Sequence, residues 1–516
     1  MSKTVEAPFG KLRAFFWPIH SFELKKLMPM FLMMLCISFN YTILRDTKDA
    51  LIVTAPAAGA EAIPFLKVWG VVPFAMIFML LYSKASNVFS KQKLFYVTII
   101  PFLVFFAAFA LVIYPNRDAL HLDGLADAMQ SFLPVGLKGA IGMVRYWSYS
   151  LFYIMAELWG SVALSLLFWG FANDITRVAE AKRFYTMFTL GANVALCISG
   201  PMIYFCSKIQ QWVPAGVDPW QISLYLLMGL VVACGLGTIY CYSWINRNVL
   251  TDPRFYDPGE VKKPKKEKQK MALGESFKFL FTNKYIACLA LLVLSYGVSI
   301  NLIEVTWKSQ VRLQFPQPND YSAFMGIFST CTGIATIGML LIAGPILRRF
   351  GWSVAAQITP VILMLTGAAF FGFIMFRDAL GGAIAVLGTT PLFLAVIFGM
   401  AQNIMSKSAK YALFDPTKEM AYIPLDNESK TKGKAAIDVV GARLGKSGGS
   451  LIQQALMGMF GGLAAITPVI AVLLFVIIGG WLLAARSLGK QFSELSAEKD
   501  AAGAKTDVAG ARPATT

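Results

Sequence analysis

The sequence predicts an all-α integral membrane protein, with twelve transmembrane helices arranged as two six-helix halves. Three observations predict it. Hydrophobic residues fill 57% of the 516 positions and charged residues 15%, against about 45–50% and about 25% in soluble domains. The apolar residues gather in charge-free runs of roughly the 20 residues that a bilayer crossing needs. These runs fall into two groups, one before residue 247 and one after 284, with a charged stretch between them. This composition excludes a disordered chain and argues against a soluble enzyme.

The first group reads 27–44, 68–83, 94–116, 146–173 interrupted by Glu157, 184–207 and 219–246. The second reads 285–303, 321–347, 350–376, 379–406 and 447–485. The last run is too long for one crossing. It divides near Gly461-Gly462 and Thr467-Pro468, since glycine and proline punctuate helices, and its first part begins near Ala435. Loop charge sets the orientation, because cytoplasmic loops carry the excess of Lys and Arg. Lys84/Lys91/Lys93, Arg177/Lys182/Arg183, 247–284, Arg348/Arg349 and 407–434 are basic. They alternate with sparser loops at 208–218, 308–320 and 377–378, so both termini are expected in the cytoplasm. The long segment 115–145 is expected outside, with a short helix.

The first run follows Lys25 and Lys26 with no small-residue cleavage site, and reads as a signal anchor. Residues 262–270, KKPKKEKQK, read as a solvated linker, and the Ala-rich end as a disordered tail. The expected divisions are a cytoplasmic N-terminus 1–26, an N-terminal half 27–246, a basic cytoplasmic linker 247–284, a C-terminal half 285–486 and a cytoplasmic tail 487–516. The net charge of +17 suits an anionic partner. With so much apolar surface, the expected surroundings are a lipid bilayer, not a nucleic acid. The two histidines, His20 and His121, and seven cysteines without paired spacing give no zinc or disulfide pattern. No metal and no cofactor are expected.

The two groups are faintly alike. Asp174-Ile-Thr176 matches Asp415-Pro-Thr417 at an offset of 241, and Glu180-Ala-Lys182 matches Glu428-Ser-Lys430 at 248. Gly191-Ala192 matches Gly441-Ala442 at 250, and Lys48 matches Lys308 at 260. Parallel halves about an axis along the membrane normal are a major-facilitator-like plan, with substrate held near mid-depth between them.

Charges inside apolar spans are costly and mark substrate or ion paths. Arg45-Asp46-Thr47-Lys48-Asp49 extends the first run, and 44–54 still reads as helix. Arg45 and Lys48 can then face a lumen, with Asp46 and Asp49 partly neutralising them. Glu157 and Glu304 interrupt two other spans and read as acids that pair with Lys or Arg when substrate is absent. Arg443 and Lys446, three apart at the start of the eleventh span, share a helical face suited to phosphate oxygens. GARLGKS (441–447) is not a P-loop, because only three residues separate Gly441 from Gly445 where the motif needs four. Tyr149, Phe152 and Tyr153 lie on one face just before Glu157 and could stack on a nucleobase.

Several blocks carry a resemblance: NYTILRDTKDALIVTAP (40–56), GAEAIPFLK (59–67), ELWGSVALSLLFWGFANDIT (157–176), EAKRFYTMFTLGANVALCISG (180–200) and 427–449. Over roughly residues 10–490 the chain resembles the ATP/ADP translocase family, the nucleotide transporters of chlamydiae, rickettsiae and plastids. Its N-terminus looks most like the chlamydial members. The resemblance implies an antiporter, not an enzyme, in a bacterial inner membrane. It would exchange host ATP for bacterial ADP, with phosphate accompanying ADP in some members. The alternative it leaves is a proton-coupled or broader-specificity nucleotide importer. It also implies transport roles for Lys48, Glu157, Glu304 and Lys446. With Arg45, Lys308 and Arg443, the cations would grip the polyphosphate. A monomer is expected.

Overall fold

The computed structural model describes residues 19–256 apart from 215 and 254, and residues 283–510. Side chains at 178–179, 182, 499–510 and most of 427–446 lie outside the description, those of Arg443 and Lys446 included. So do residues 1–18 and 257–282, most of the expected N-terminal segment and linker.

Among the described residues, ten stretches are long and apolar enough to cross a membrane, and no strand occurs. One of the ten, Pro318–Met375, has 58 residues and holds two helices that meet at Gly351, whose φ of 76° breaks the spiral. Asn427–Phe460 is a further long helix. This is compatible with twelve crossings. We label them α1 (Leu24–Thr54), α2 (Ala62–Val88), α3 (Lys91–Ile113), α4 (Trp147–Ile175), α5 (Val178–Lys208), α6 (Pro219–Asn248), α7 (Lys284–Gln314), α8 (318–350), α9 (352–375), α10 (Pro391–Met420), α11 (Asn427–Phe460) and α12 (Leu463–Gly510).

Local chemistry sets several helix starts. Ser90, Asp218, Asn283 and Thr390 each accept a hydrogen bond from a backbone N–H of the turn that follows, which satisfies donors a helix start leaves open. α1 runs unbroken through Arg45–Asp49, as its helical pattern predicts. Several boundaries differ from expectation. α7 runs on to Gln314, which takes Lys308 out of the expected 308–320 loop and into the helix, and α11 starts at Asn427, not near Ala435. α2 starts at Ala62, not 68, and so takes Lys67 into the helix. α10 starts at Pro391, after a separate helix Arg377–Ala385, and carries Lys407 and Lys410 inside it. α12 continues to Gly510, helical where a disordered tail was expected. Ala, Lys and Glu make that tail polar, but they are also strong helix formers.

The halves meet closely from mid-depth to the face opposite the basic loops. Gly200 of α5 lies against Gly326 and Thr330 of α8, and Gly333 of α8 against Cys197, so close that a Cβ at either would collide. Small residues at such crossings let membrane helices approach. Nearer that face, Asn319 Nδ2 donates to Ser207 O (2.8 Å), Arg312 donates to the carbonyls of Ala55 and Pro56, and Lys208 pairs with Asp320 (3.1 Å). Arg45, Glu157 and Glu304 stay part-exposed at mid-depth between the halves, and the space they line is the cleft.

The 115–145 segment folds into three short helices, Arg117–Leu120, Asp123–Phe132 and Lys138–Arg145. Arg145 ties it together through Asp123 (2.8 Å) and Asp127. His121 packs edge-on against Tyr146 and Tyr149, with centroids 4.8 and 5.0 Å away. Burial there holds its imidazole below the ordinary value. The fold therefore favours the neutral ring. The stability this gives is fully present above the ordinary value of about 6.5 and is lost as pH falls from there through the lowered folded value. His121→Gln is expected to flatten the fall in unfolding midpoint between about pH 7 and pH 5. An unchanged slope would assign that pH dependence to other groups.

Candidate functional site

α1 brings four charged residues to mid-depth within one turn and a third. Asp46, Lys48 and Asp49 are buried, and Arg45 is 15% exposed to the cleft. Each finds a partner because a lone charge in a membrane interior is strongly unfavourable. Arg45 Nε donates to Asp46 Oδ1 (2.9 Å), and its Nη2 donates to Ser329 Oγ of α8 (2.7 Å). Ser329 Oγ in turn donates to Asp46 Oδ2 (2.5 Å).

Lys48 and Asp49 start a chain of ion pairs that crosses from one half to the other. Lys48 Nζ lies 3.0 Å from Asp49 Oδ1 and 3.0 Å from Glu157 Oε1 of α4. Its ammonium also sits over the Tyr153 ring, 3.8 Å from the centroid. Asp49 Oδ2 lies 2.8 Å from Lys308 Nζ of α7, an ion pair. Lys308 pairs one turn back with Glu304 at 3.1 Å, and Glu304 holds Lys67 of α2 at 3.5 Å. Lys67 also donates to Asn301 Oδ1 at 2.6 Å. The order along the chain is Glu157, Lys48, Asp49, Lys308, Glu304, Lys67.

Exposure divides these groups by role. Lys48, Asp49 and Lys308 are sealed, at 3% or less. Glu157 and Glu304, at 31% and 21%, reach the cleft. An anion must displace these acids to reach the sealed Lys48 and Lys308. Both acids were legible in the sequence, as were Arg45, Asp46, Lys48 and Lys308. Lys67, Lys407, Asn301 and Ser329 were missed. Lys67 lies in the quoted block GAEAIPFLK, but it directly precedes the charge-free run that starts at 68.

The backbone of α11 is positioned although Arg443 and Lys446 are outside the side-chain description. Gly445 packs on Gly297 of α7, where an added Cβ would come within 2.8 Å of the Gly445 Cα. Gly449 packs on Asn301. Residue 446 therefore lies beside the stretch of α7 that leads to Glu304, which is seven residues or roughly 10 Å beyond Gly297.

The aromatic candidates are placed differently from expectation. Phe152 is fully buried against Phe106 and Phe109, and Tyr149 stacks on Tyr146 and Tyr114. Their face of α4 packs on α3 and the outer segment, away from the cleft. Tyr153 is buried beneath Lys48. Tyr41, one turn from Arg45 toward the basic face, is part-exposed instead.

Two helical halves enclosing a charged cleft at mid-depth define a multi-pass membrane carrier of major-facilitator-like fold. A solved bacterial homologue of the iron transporter ferroportin, in an inward-facing state, matches 92% of this chain and 100% of its own. Its TM-score is 0.57 and its identity 14%, a likeness of fold alone. The family model for the TLC ATP/ADP transporter matches residues 2–492, and the chain belongs to that family. It is 60% identical to ADP,ATP carrier protein 1 of Chlamydia muridarum, over 97% of this chain and 94% of the relative. It is 54% identical to the chloroplastic ADP,ATP carrier protein 1 of Arabidopsis thaliana, over 92% of this chain and 75% of that one.

Proposed function

We propose that this chain is an ATP:ADP antiporter that exchanges host ATP for bacterial ADP across a bacterial inner membrane by alternating access, as a monomer with both termini cytoplasmic. The observation that carries this reading is the ion-pair chain through Asp49, which joins lysines from both halves and is capped by two cleft-facing acids.

Nucleotide phosphates would displace Glu157 and Glu304, so that Lys48 and Lys308 grip the polyphosphate from opposite halves. Arg45, and Arg443 and Lys446 on α11, would complete the cationic set. Tyr41 offers the base a ring. The empty carrier keeps its internal pairs and resists switching, which couples import to export.

Uptake of labelled ATP into proteoliposomes preloaded with ADP, ATP, AMP or nothing tests the function. Uptake is expected only with internal ADP or ATP. Uptake into empty vesicles, raised by an inward proton gradient, would instead establish the proton-coupled importer. Lys48→Ala is expected to weaken ATP exchange by about tenfold to a hundredfold, the worth of one hydrogen bond to a charged group. Exchange at the unmodified rate would remove the phosphate clamp.

A further inference from the structure

Gly191-Ala192 and Gly441-Ala442 correspond across the halves at an offset of 250. The same offset carries Glu157 of α4 onto Lys407 of α10, although Asp174 and Asp415, beyond the π-helical stretches of those two helices, match at 241. The backbones agree with it. Each helix widens into a π-helical stretch three residues later, Gly160–Phe168 after Glu157 and Lys410–Phe414 after Lys407. At equivalent positions, one half carries a carboxylate and the other a cation.

Lys407 also differs from the other cations described at mid-depth. Arg45, Lys48, Lys67 and Lys308 each hold a carboxylate. Lys407 lies over the Phe328 ring, 4.9 Å from its centroid, and no carboxylate among the described residues is within ion-pairing reach of it. The charged groups near it are Arg45, Glu304, Lys308 and Asp46. Both acids are already engaged, Asp46 by Arg45 and Ser329 and Glu304 by Lys308 and Lys67. A part-exposed ammonium at this depth is tolerable only where water or an anion meets it.

We infer that Lys407 is the docking cation of the cleft, taking a phosphate of the incoming nucleotide before any ion pair around Asp49 opens. This rests on the phosphate-clamp reading above. Lys48 and Lys308 must release acids to receive phosphate, whereas Lys407 releases nothing. Lys407 therefore governs affinity, and Lys48 governs switching.

The test is exchange in proteoliposomes over a range of ATP and ADP concentrations, with inorganic tripolyphosphate as a competitor lacking base and sugar. Lys407→Gln is expected to raise half-saturation for both nucleotides by about tenfold to a hundredfold, one charge-assisted hydrogen bond. The maximal rate should change far less, and tripolyphosphate should lose potency by a similar factor. Lys407→Arg keeps the charge and should stay close to the unmodified carrier. Removing this charge orphans no described carboxylate, and Lys407→Met gives a second neutral variant should Gln fold poorly. Unchanged half-saturation overturns the inference. So does a loss confined to the maximal rate, or weakened nucleotides with undiminished tripolyphosphate competition. Lys48→Gln is run in parallel: if it exchanges normally, the clamp itself fails, whereas failure at Lys407 alone leaves the clamp standing.

Discussion

Asp49→Asn is expected to destabilise the carrier by about 3–5 kcal/mol, the cost of breaking a buried ion pair by removing one partner, and to abolish exchange. Asp49 is 1% exposed, and its two oxygens take Lys48 from its own helix and Lys308 from the opposite half. Asparagine fits the space but supplies no charge. Two sealed ammonium groups would then share a site with only Glu157 and Glu304 left to answer them. A second variant separates stability from function. Asp49→Asn combined with Lys308→Met removes one acid and one base, and buried pairs exchanged for apolar groups are often tolerated. The unfolding midpoint in detergent is expected to recover much of the loss, while exchange stays absent because one phosphate-gripping cation is gone. An Asp49→Asn carrier that unfolds at the unmodified midpoint would show that this carboxylate does not hold the halves together.

Asp49 also shows what was legible in the sequence and why. Charges within apolar runs announce themselves, because hydrocarbon tolerates them only when they are paired. Arg45, Asp46, Lys48, Glu157 and Glu304 were visible on that ground, and Lys308 only as the counterpart of Lys48 at an offset of 260. Lys67 and Lys407 obey the same physics but were hidden by position. Lys67 directly precedes an apolar run, and Lys407 begins a Lys-rich stretch that reads as loop. Only the helix boundaries, α2 from Ala62 and α10 on to Met420, bring them inside. The aromatics failed for a different reason. Helical spacing says that Tyr149, Phe152 and Tyr153 share a face, but not which neighbour that face meets. It meets α3, the outer segment and the Lys48 ammonium. The partners within the ion-pair chain were likewise illegible. Lys308 and Asp49 are 259 residues apart, and pairing across that distance is a property of the packed halves.

Glu157→Gln is expected to turn a strict exchanger into a leaky one. Glu157 holds Lys48 at 3.0 Å and is 31% exposed, so it is the acid that an incoming anion displaces most readily. Neutralising it leaves Lys48 with Asp49, so the buried core keeps its balance and the fold should survive. What changes is the empty carrier. If the Glu157–Lys48 pair holds the empty cleft in its present state, its loss lowers the barrier to switching without substrate. A hydrogen bond to a charged group is worth about 1.5–3 kcal/mol, and each 1.4 kcal/mol is about tenfold in rate. Efflux of preloaded ATP into nucleotide-free buffer is therefore expected to rise by about tenfold to a hundredfold. Glu157→Asp, which keeps the charge, should leak far less. Glu304→Gln should behave differently again, because Glu304 restrains both Lys308 and Lys67: Lys308 keeps Asp49, but Lys67 is left with no carboxylate among the described residues. Efflux from Glu157→Gln that still requires external nucleotide would mean that the barrier to empty switching lies elsewhere, in the glycine-lined crossing of α5 and α8 or the contacts beyond it.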